Sequence, residues 1–364
     1  MLDFTSALYL GLQHASCSLP PWEQLTSGVP AALAEPRGSA AVARELARLV
    51  GLPAALLAPS TLHLFCDVFD VLGAEADAVL LWDEGSYPVA RWGMERARAH
   101  GVPARGFAHH APAALQRRLR EARGRRALVL CDGFCPGCAR PAPLARYLEL
   151  LRPSGGLLVL DDTQALGLWG TPAAGTPYGE GGGGSLRHAQ VDGAQVLWCG
   201  SLAKALGVPL AAAAGSAPLI AQLRAGGSTR LHCSPPSLAV LSAARHALAL
   251  NAAEGEQRRG RLARRVQLFR AALRAGGLRA SGGAFPVQRL ELPAGVDAGA
   301  LELQLQRRGV RAVLQQGRCG PARSVSFLLT ARHAPREVVR AAEAVAEALE
   351  AVREGAGPRA AALA

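Results

Sequence analysis

The residue in this sequence with the clearest potential for chemistry is Lys204, because it is the only lysine. The chain has 364 residues with 40 Lys plus Arg, and 39 of those 40 are arginine. Lysine is normally common, so a coding bias toward arginine explains its scarcity. Arginine keeps its proton at any accessible pH, whereas a lysine amine can lose its proton and act as a nucleophile. A lysine that survives such a bias is therefore a catalytic candidate, with chance survival as the alternative.

Three carboxylates come directly after apolar runs that are typical of buried strands. Asp83 follows VLLW, Asp132 follows ALVLC and Asp161 follows GLLVL. In open α/β sheets, ligands bind beyond the carboxyl ends of the strands, so these acids stand where chemistry is expected. The alternative is that each is a turn or helix-capping aspartate, a common use of this residue.

Eight cysteines in a chain of this length do not suggest a disulfide framework. Three of them, Cys131, Cys135 and Cys138, form the run CDGFCPGC with C-x3-C-x2-C spacing. That spacing is typical of an iron–sulfur cluster of the radical-SAM type, but such a run usually lies early in a barrel and this one lies a third of the way along. We therefore expect no metal, and interpret these residues as small loop positions that became cysteine.

The net charge of +12 invites a nucleic-acid interpretation. The arginine runs at 116–126 and 257–265 are mixed with Glu or Leu at helical spacing, which favours solvated helix faces instead. The N-terminus lacks the pattern of a signal peptide, and the longest apolar run, 205–214, is too short to span a membrane. We expect a cytoplasmic protein without a nucleic-acid or membrane partner.

The elements that must position these residues alternate between strand and helix. The predicted strands are 79–82, 127–131, 156–161, 195–199 and 210–214. The predicted helices are 40–50, 89–99, 112–122, 142–151 and 218–224. This alternation predicts an α/β fold with a mainly parallel sheet covered by helices.

The pattern changes after residue 236. A long helical region to about residue 275, with a break near 251–255, precedes strands at 285–292, 310–315 and 324–329 and a final helix over 335–352. We expect an N-terminal arm over 1–37, a large α/β domain over 38–245 and a smaller α+β domain over 246–364. The Gly-rich segment 171–185 is predicted to be a flexible loop, and its glycines do not fit a phosphate-binding turn between a strand and a helix.

Two segments together carry a family resemblance. LLVLDDTQALGLWG, over 157–170, and GSLAKALGVPLAAAAG, over 200–215, resemble the Asp motif and the Schiff-base lysine motif of the α-oxoamine synthases. The opening FTSALYLGL, over 4–12, is similar to the F-x-S-N-x-Y-L-G-L opening of that family. This family, of the 8-amino-7-oxononanoate synthase type, contains class II aminotransferase-like enzymes of fold type I that depend on pyridoxal 5′-phosphate (PLP). The resemblance covers most of the chain.

The resemblance implies a PLP site and a role for each matching residue. Lys204 would form the Schiff base, Asp161 would keep the pyridine nitrogen protonated, and Tyr87 would stack on the ring in place of the family's His. The remaining residues that the resemblance places around the cofactor are Ser60, Thr61, Leu62, Asp132, Gln164 and Ser201.

Several positions depart from the family pattern. Gln164 stands in place of a His, Ala7 in place of an Asn, and Ser326 in place of the Arg that grips the amino-acid carboxylate. Thr61 replaces the glycine of the phosphate loop, and Leu62 replaces the aromatic residue after it. Arg323 or Arg332 are candidates for the lost carboxylate clamp, because a bidentate Arg is the usual one. Cofactor binding is thus retained better than substrate binding.

The resemblance implies transfer of an acyl group from a thioester to an amino acid, giving an aminoketone. An aminotransferase acting on an unusual amine or amino acid is one alternative, and a non-catalytic homologue that retains the fold is another. The family's sites are completed across a homodimer, and the segment 228–237 matches the part that reaches across, with His232 in place of a Thr. We therefore expect a homodimer.

Overall fold

The computed structural model describes residues 1–19, 24–317, 319 and 323–356. The chain divides into two compact units. The large unit comprises Leu12–Cys135 and Pro141–Glu256, and the small unit comprises Met1–Gly11, Pro136–Arg140 and Gln257–Ala364. The three domain ranges expected from the sequence stay a prediction.

The strands and helices of the described residues are as follows. The strands are β1 Leu2–Asp3, β2 Ala54–Ala58, β3 Ala78–Asp83, β4 Ala104–Phe107, β5 Arg126–Asp132, β6 Phe134–Cys135, β7 Arg140–Pro141, β8 Leu157–Asp161, β9 Thr171–Ala173, β10 Thr176–Glu180, β11 Val196–Ser201, β12 Ala211–Gly215, β13 Ala280–Ser281, β14 Val287–Leu290, β15 Val310–Arg311, β16 Val313–Gln316 and β17 Arg323–Leu328. The α-helices are α1 Ser39–Val50, α2 Thr61–Gly73, α3 Pro88–Ala99, α4 Pro112–Glu121, α5 Leu144–Leu151, α6 Ser185–Ala189, α7 Ala217–Gly226, α8 Ser228–His232, α9 Leu238–Ala275, α10 Ala298–Arg307 and α11 Pro335–Ala356. Short 3-10 helices lie at Ser16–Ser18 and Arg152–Ser154.

A seven-stranded sheet in the order β2-β12-β11-β8-β5-β3-β4 forms the centre of the large unit. Neighbouring strands from β11 to β4 pair in parallel, and only β12 runs in the opposite direction. The apolar runs of β5, β8 and β11 are fully buried, as expected for strands covered on both faces. The predicted α/β class with a mainly parallel sheet is confirmed.

Sequence patterns did not predict β2, β4 or α2. The β2 sequence AALLA lacks the β-branched residues that mark strands, and the edge strand β4 carries an exposed Arg105. Helix α2 buries Leu64, Val68 and Leu72 at helical spacing against the sheet. Its start was recognisable from Ser60, a favoured N-cap residue.

The small unit has a four-stranded antiparallel sheet in the order β13-β14-β17-β16, and helices α10 and α11 contact each other. Strand β1 pairs in parallel with β15, so the first residues of the chain belong to this unit. The Phe4 ring packs against the Phe327 ring with 5.5 Å between centroids, and both side chains are fully buried. The small α+β architecture predicted for the C-terminal part is present.

Two local predictions are wrong. Helix α9 is continuous through 251–255, because the Asn251 side chain donates to the Gly181 carbonyl rather than competing for the helix backbone. A single helical glycine, Gly255, costs only about 1 kcal/mol.

The segment 171–185 is likewise not a flexible loop. It forms the β9–β10 hairpin with a buried Tyr178, and its four consecutive glycines, 181–184, do lie between a strand, β10, and a helix, α6.

Candidate active site

One edge of the large sheet collects the residues singled out by sequence. The ladder places Asp161 beside Asp132 of β5 on one side and beside Cys199 of β11 on the other. Two residues past Cys199, Ser201 pairs with Ala211 of β12, which pairs with Ala58 at the end of β2. The carboxyl ends of β2, β11, β8, β5 and β3 therefore meet at this edge, where ligands bind in open α/β sheets.

Lys204 lies in the tight turn that joins β11 to β12. The turn is closed by backbone hydrogen bonds from Leu202 N–H to the Leu210 carbonyl at 2.8 Å and from Val208 N–H to the Leu202 carbonyl at 3.0 Å. A third bond runs from the Gly207 N–H to the Lys204 carbonyl at 3.2 Å. Lys204, a half-buried residue, is thus carried by a short, hydrogen-bonded turn at the sheet edge.

Ser60 starts helix α2 directly after β2. Its backbone is extended (φ −153°), and its Oγ accepts the His63 N–H at 3.5 Å and contacts His63 Nδ1 at 2.8 Å. Thr61 is half-buried and Leu62 is exposed in the first turn of the helix. The N–H groups of a first helical turn, with the positive end of the helix dipole, suit a phosphate dianion.

Asp161 is buried at the end of β8, and its Oδ1 accepts the Thr163 N–H at 3.0 Å. The Thr163 hydroxyl oxygen in turn accepts the Ser201 N–H at 3.1 Å, which ties the aspartate turn to the end of β11. Gln164 follows in the same turn and is half-buried. The turn after Asp161 and the turn that carries Lys204 are thus linked by the hydrogen bond between Thr163 and Ser201.

Asp162 is an organising residue that sequence reasoning missed. Its side chain is fully buried, accepting from Ser185 Oγ at 2.5 Å, Ser185 N–H at 2.8 Å and Trp198 Nε1 at 2.9 Å. Burial raises the pKa of Asp162 to about 6, although these hydrogen bonds oppose the rise. The carboxylate at the start of the short helix α6 is therefore that of Asp162.

Asp132 holds the turn that presents Tyr87. The buried Asp132 carboxylate accepts the Tyr87 N–H at 3.0 Å, just before helix α3 begins at Pro88. The Tyr87 side chain itself is half exposed at the sheet edge. An aromatic side chain in this position can cover one face of a planar ligand.

A second buried aspartate, Asp83, anchors the start of the same turn. Its Oδ1 accepts from Gly85 N–H at 2.8 Å and from His109 Nδ1 at 2.5 Å. Its Oδ2 accepts from His110 N–H at 2.9 Å and from the Tyr147 hydroxyl at 3.3 Å. Sequence reasoning found Asp83 as a strand-end acid but missed His109, whose only signal was its place two residues after β4.

The three cysteines of CDGFCPGC do not act as one set. Cys131 lies inside β5 with its thiol buried, and burial raises the pKa of that thiol. Among the described residues, it is absent from every group of three ligand side chains close enough to share a metal ion. Cys135 and Cys138 belong to the separate β6–β7 hairpin region.

In the small unit, the two arginines expected to replace the lost clamp lie in different surroundings. Arg323 extends beside Gly299 at the start of α10, and Arg332 packs against Gly11. A third arginine, Arg289 of β14, is the register partner of Ser326. Arg289 was not singled out by its sequence, because only the strand pairing places it there.

The chain is similar to known proteins of one enzyme family. A family described as "Aminotransferase class I and II" matches residues 28–344. An 8-amino-7-oxononanoate synthase from Alkalilimnicola ehrlichii is 30% identical over 301 residues, which is 82% of this chain and 73% of that protein.

Two solved structures share the fold. A serine palmitoyltransferase variant from S. paucimobilis, with PLP and myriocin bound, gives a TM-score of 0.82 at 16% identity, covering 97% of this chain and 88% of that one. The 8-amino-7-oxononanoate synthase of Francisella tularensis gives a TM-score of 0.74 at 16% identity, covering 96% and 98% of the two chains. None of the described helices combines the length and apolar composition that a membrane span needs.

Proposed function

From the premise that this chain belongs to the class I and II aminotransferase family, and within it to the α-oxoamine synthases, we propose that it binds PLP at Lys204 and transfers an acyl group from a thioester to an amino acid. The observation that carries the proposal is the meeting of Lys204, Asp161 and Ser60 at one sheet edge. A primary amine, a buried carboxylate and a capped helix start are brought there from three separate strands.

The donor set at this edge fits PLP group by group. A phosphate dianion suits the first turn of α2 with Ser60 and Thr61, and Ser201 lies at the end of β11, which β12 separates from β2 in the sheet. The aldehyde carbon requires a primary amine, which Lys204 alone can supply. The pyridine nitrogen requires a carboxylate, and Asp161 is held by the Thr163 N–H in a buried turn.

Each residue has a separate task in this proposal. When bound, PLP supplies an electron sink for the bond that breaks at the substrate Cα. Lys204 would hold the cofactor through its side-chain amine, and the same amine would carry the Cα proton of the substrate. Asp161 would keep the ring nitrogen protonated, since a nearby negative charge favours the charged form of that nitrogen.

The remaining residues position the ring. Tyr87 would stack on the cofactor, and the Asp132 carboxylate holds the Tyr87 backbone in place by accepting its N–H. Gln164 would donate a hydrogen bond to the cofactor but, unlike a histidine, cannot act as an acid or base. Leu62 contributes an apolar contact at the start of α2.

An aminotransferase reaction on an unusual amine or amino acid is the second candidate, and Ser326 is the observation that favours it. A serine cannot grip a carboxylate as an arginine does. A non-catalytic homologue is the third, but the retained Lys204 and Asp161 speak against it, because drift toward arginine should have removed the lysine first. A cytoplasmic homodimer and an N-terminal arm over 1–37 are further parts of the proposal, supported by the family resemblance.

Absorbance of the purified protein tests the proposal. We expect a yellow band on addition of PLP that borohydride removes, with the PLP then fixed to the Lys204 peptide in a tryptic map. Lys204→Ala should abolish the band, and Lys204→Arg is the matched control because it keeps the charge but not the reactive amine. Spectral shifts on adding amino acids, followed by product analysis with acyl thioesters, separate condensation from transamination. A wild-type protein that stays colourless with PLP would overturn the proposal.

A further inference from the structure

A histidine that the proposed function does not use contacts the turn that carries Lys204, which we call the lysine turn (residues 202–210). His14 lies two residues after the FTSALYLGL opening, and its ring nitrogen Nε2 is 2.8 Å from the Leu206 carbonyl oxygen. Both residues belong to the large unit. Leu206 follows Lys204 by two residues, so a contact that spans 192 positions of the chain ends inside the lysine turn.

The partner of His14 determines which of its ring nitrogens carries the hydrogen. A carbonyl oxygen can only accept a hydrogen bond, so Nε2 of His14 must be the donor. Nδ1 is buried and, within the described part of the chain, has no hydrogen-bond partner. The ring therefore acts through its bond to Leu206. Protonation of the ring leaves this bond intact, because Nε2 carries a hydrogen in both charge states.

The His14 bond holds a peptide group that is also bonded to Lys204. The Leu206 carbonyl and the Gly207 N–H belong to one planar peptide group. The Gly207 N–H donates to the Lys204 carbonyl at 3.2 Å, while the Leu206 carbonyl accepts from His14 at 2.8 Å. Rotation of this peptide group would break both hydrogen bonds. His14 therefore restrains the backbone of Lys204 through a single peptide group.

The residue after this peptide group gives the lysine turn conformational freedom. Gly207 lies in the left-handed region (φ 68°), and glycine populates regions of positive and negative φ about equally readily. On the other side of the peptide group, the Leu206 side chain is fully buried. A donor from outside the turn, bound to the peptide group just before Gly207, reduces the freedom that the glycine brings.

The His14 ring is itself held in place by helix α9. The His246 ring meets it edge to face, with 5.4 Å between the ring centroids and 86° between the ring planes. This is a favourable arrangement for two aromatic rings. His246 is half-buried in the part of the continuous helix α9 that belongs to the large unit. The donor to the lysine turn is thus supported by a rigid element.

We propose that His14 is a positioning residue for Lys204. By holding the peptide group between Leu206 and Gly207, it keeps the lysine turn in one conformation and so sets the direction in which the Lys204 side chain leaves the backbone. His14 does not take part in the chemistry itself. Only the part that concerns PLP rests on the proposed function, because the restraint on the turn exists without a cofactor.

Hydrogen–deuterium exchange of the full-length, PLP-free protein measures this restraint. His14→Phe keeps a ring against His246 but has no donor, so the Gly207 amide should exchange about tenfold faster, the factor that corresponds to one neutral hydrogen bond. His14→Gln retains an N–H donor at the end of its side chain and should restore exchange to within about twofold of the wild type. The matched control is His100→Phe, which changes an exposed histidine after α3 and should leave the exchange of Gly207 unchanged.

Reaction with PLP shows whether the restraint acts on the Lys204 amine. The yellow band should form about tenfold more slowly in His14→Phe than in the wild type, because a misplaced reacting group lowers the rate, and it should recover in His14→Gln. Pyridoxamine 5′-phosphate carries an amine in place of the aldehyde and cannot react with Lys204, so it should bind the wild type and His14→Phe equally well. A merely structural role of His14 would slow the reaction with PLP and weaken the binding of pyridoxamine 5′-phosphate together.

The proposal is overturned if the Gly207 amide exchanges at the same rate in the wild type and in His14→Phe. It also fails if the yellow band forms in His14→Phe at the wild-type rate. If His14→Phe does not fold, His14→Ala takes its place, since it removes the same donor without adding a ring. A wild type that stays colourless with PLP overturns the proposed function, whereas the exchange measurement still decides whether His14 holds the lysine turn.

Discussion

Arg289 of β14 lies directly opposite Ser326 of β17 in the antiparallel sheet of the small unit. Register partners point to the same face of a sheet, so Arg289 projects from the face that carries Ser326. Its guanidinium donates to the Gly137 carbonyl and to Ser281 Oγ, the latter at 3.2 Å. Arg289 is thus the arginine that the fold places opposite residue 326, the position to which the resemblance assigns the carboxylate contact.

Arg289→Gln should weaken the binding of amino acids at least tenfold, because a hydrogen bond to a charged group contributes about 1.5–3 kcal/mol. The matching decarboxylated amines should bind equally well to both proteins. Titration by spectral shift with amino acid and amine pairs measures this difference. Arg279→Gln removes an exposed arginine of the same unit and serves as the control. If Arg289→Gln weakens the binding of an amino acid and of its decarboxylated amine by the same factor, Arg289 does not bind the carboxylate.

Ser60→Ala should both destabilise the protein and weaken PLP binding. Loss of an N-cap costs about 1 kcal/mol, and loss of a first-turn contact to the phosphate should weaken PLP binding by about tenfold. Ser216→Ala is the matched control, since Ser216 caps α7 in the same way, accepting the Leu219 N–H, but follows β12 at the opposite sheet edge. Urea unfolding and PLP titration of both variants separate the two effects. If Ser216→Ala binds PLP as weakly as Ser60→Ala does, the assignment of the PLP phosphate to the start of α2 is contradicted.

Tyr87→Phe should keep PLP affinity, and Tyr87→Ala should lower it. Aromatic stacking contributes about 0.5–1.5 kcal/mol beyond burial, which corresponds to roughly a two- to tenfold change in Kd. Because Tyr87 is half exposed and is held through its backbone N–H by Asp132, neither change should alter the fold. Fluorescence titration with PLP measures the affinity. If Tyr87→Ala binds PLP with an unchanged Kd, Tyr87 does not stack on the PLP ring.

Because of Asp162, the free energy of unfolding should fall as the pH rises from about 4 to 6. Its pKa is raised by burial from 3.8 to about 6 in the folded protein. Over that interval the folded state keeps a proton that the unfolded state has lost, so the contribution of this group to the free energy of unfolding drops by about 3 kcal/mol. Asp162→Asn should remove this slope, because an amide does not titrate.

The Asn side chain can also preserve the local hydrogen bonds. Its oxygen can accept from the Ser185 N–H and Trp198 Nε1, while its amide donates to a rotated Ser185 hydroxyl. Chemical denaturation of both proteins between pH 4 and 7 gives the difference. If the free energy of unfolding changes with pH in the same way in the wild type and in Asp162→Asn, Asp162 does not titrate in this range.

The sequence by itself determined the class of fold and indicated the residues of the proposed site. A single lysine among 39 arginines and an aspartate directly after GLLVL were enough to predict the reactive amine and its carboxylate partner. Buried parallel strands read as continuous apolar runs, so β5, β8 and β11 were also visible without a structure. These features can be predicted from the sequence because each depends on residues that are close together along the chain.

The tertiary structure alone decided which distant residues became partners. Strand register set Arg289 opposite Ser326, and burial made Asp162 the anchor of Ser185 and Trp198. Folding also brought His109 close to Asp83, which precedes it by 26 residues, and to Cys135, which follows it by 26 residues. Such pairings depend on strand order, on the crossovers between strands and on loss of water, and none of these leaves a periodic signal along the chain. Sequence therefore showed which groups could react, and folding determined what holds each of them.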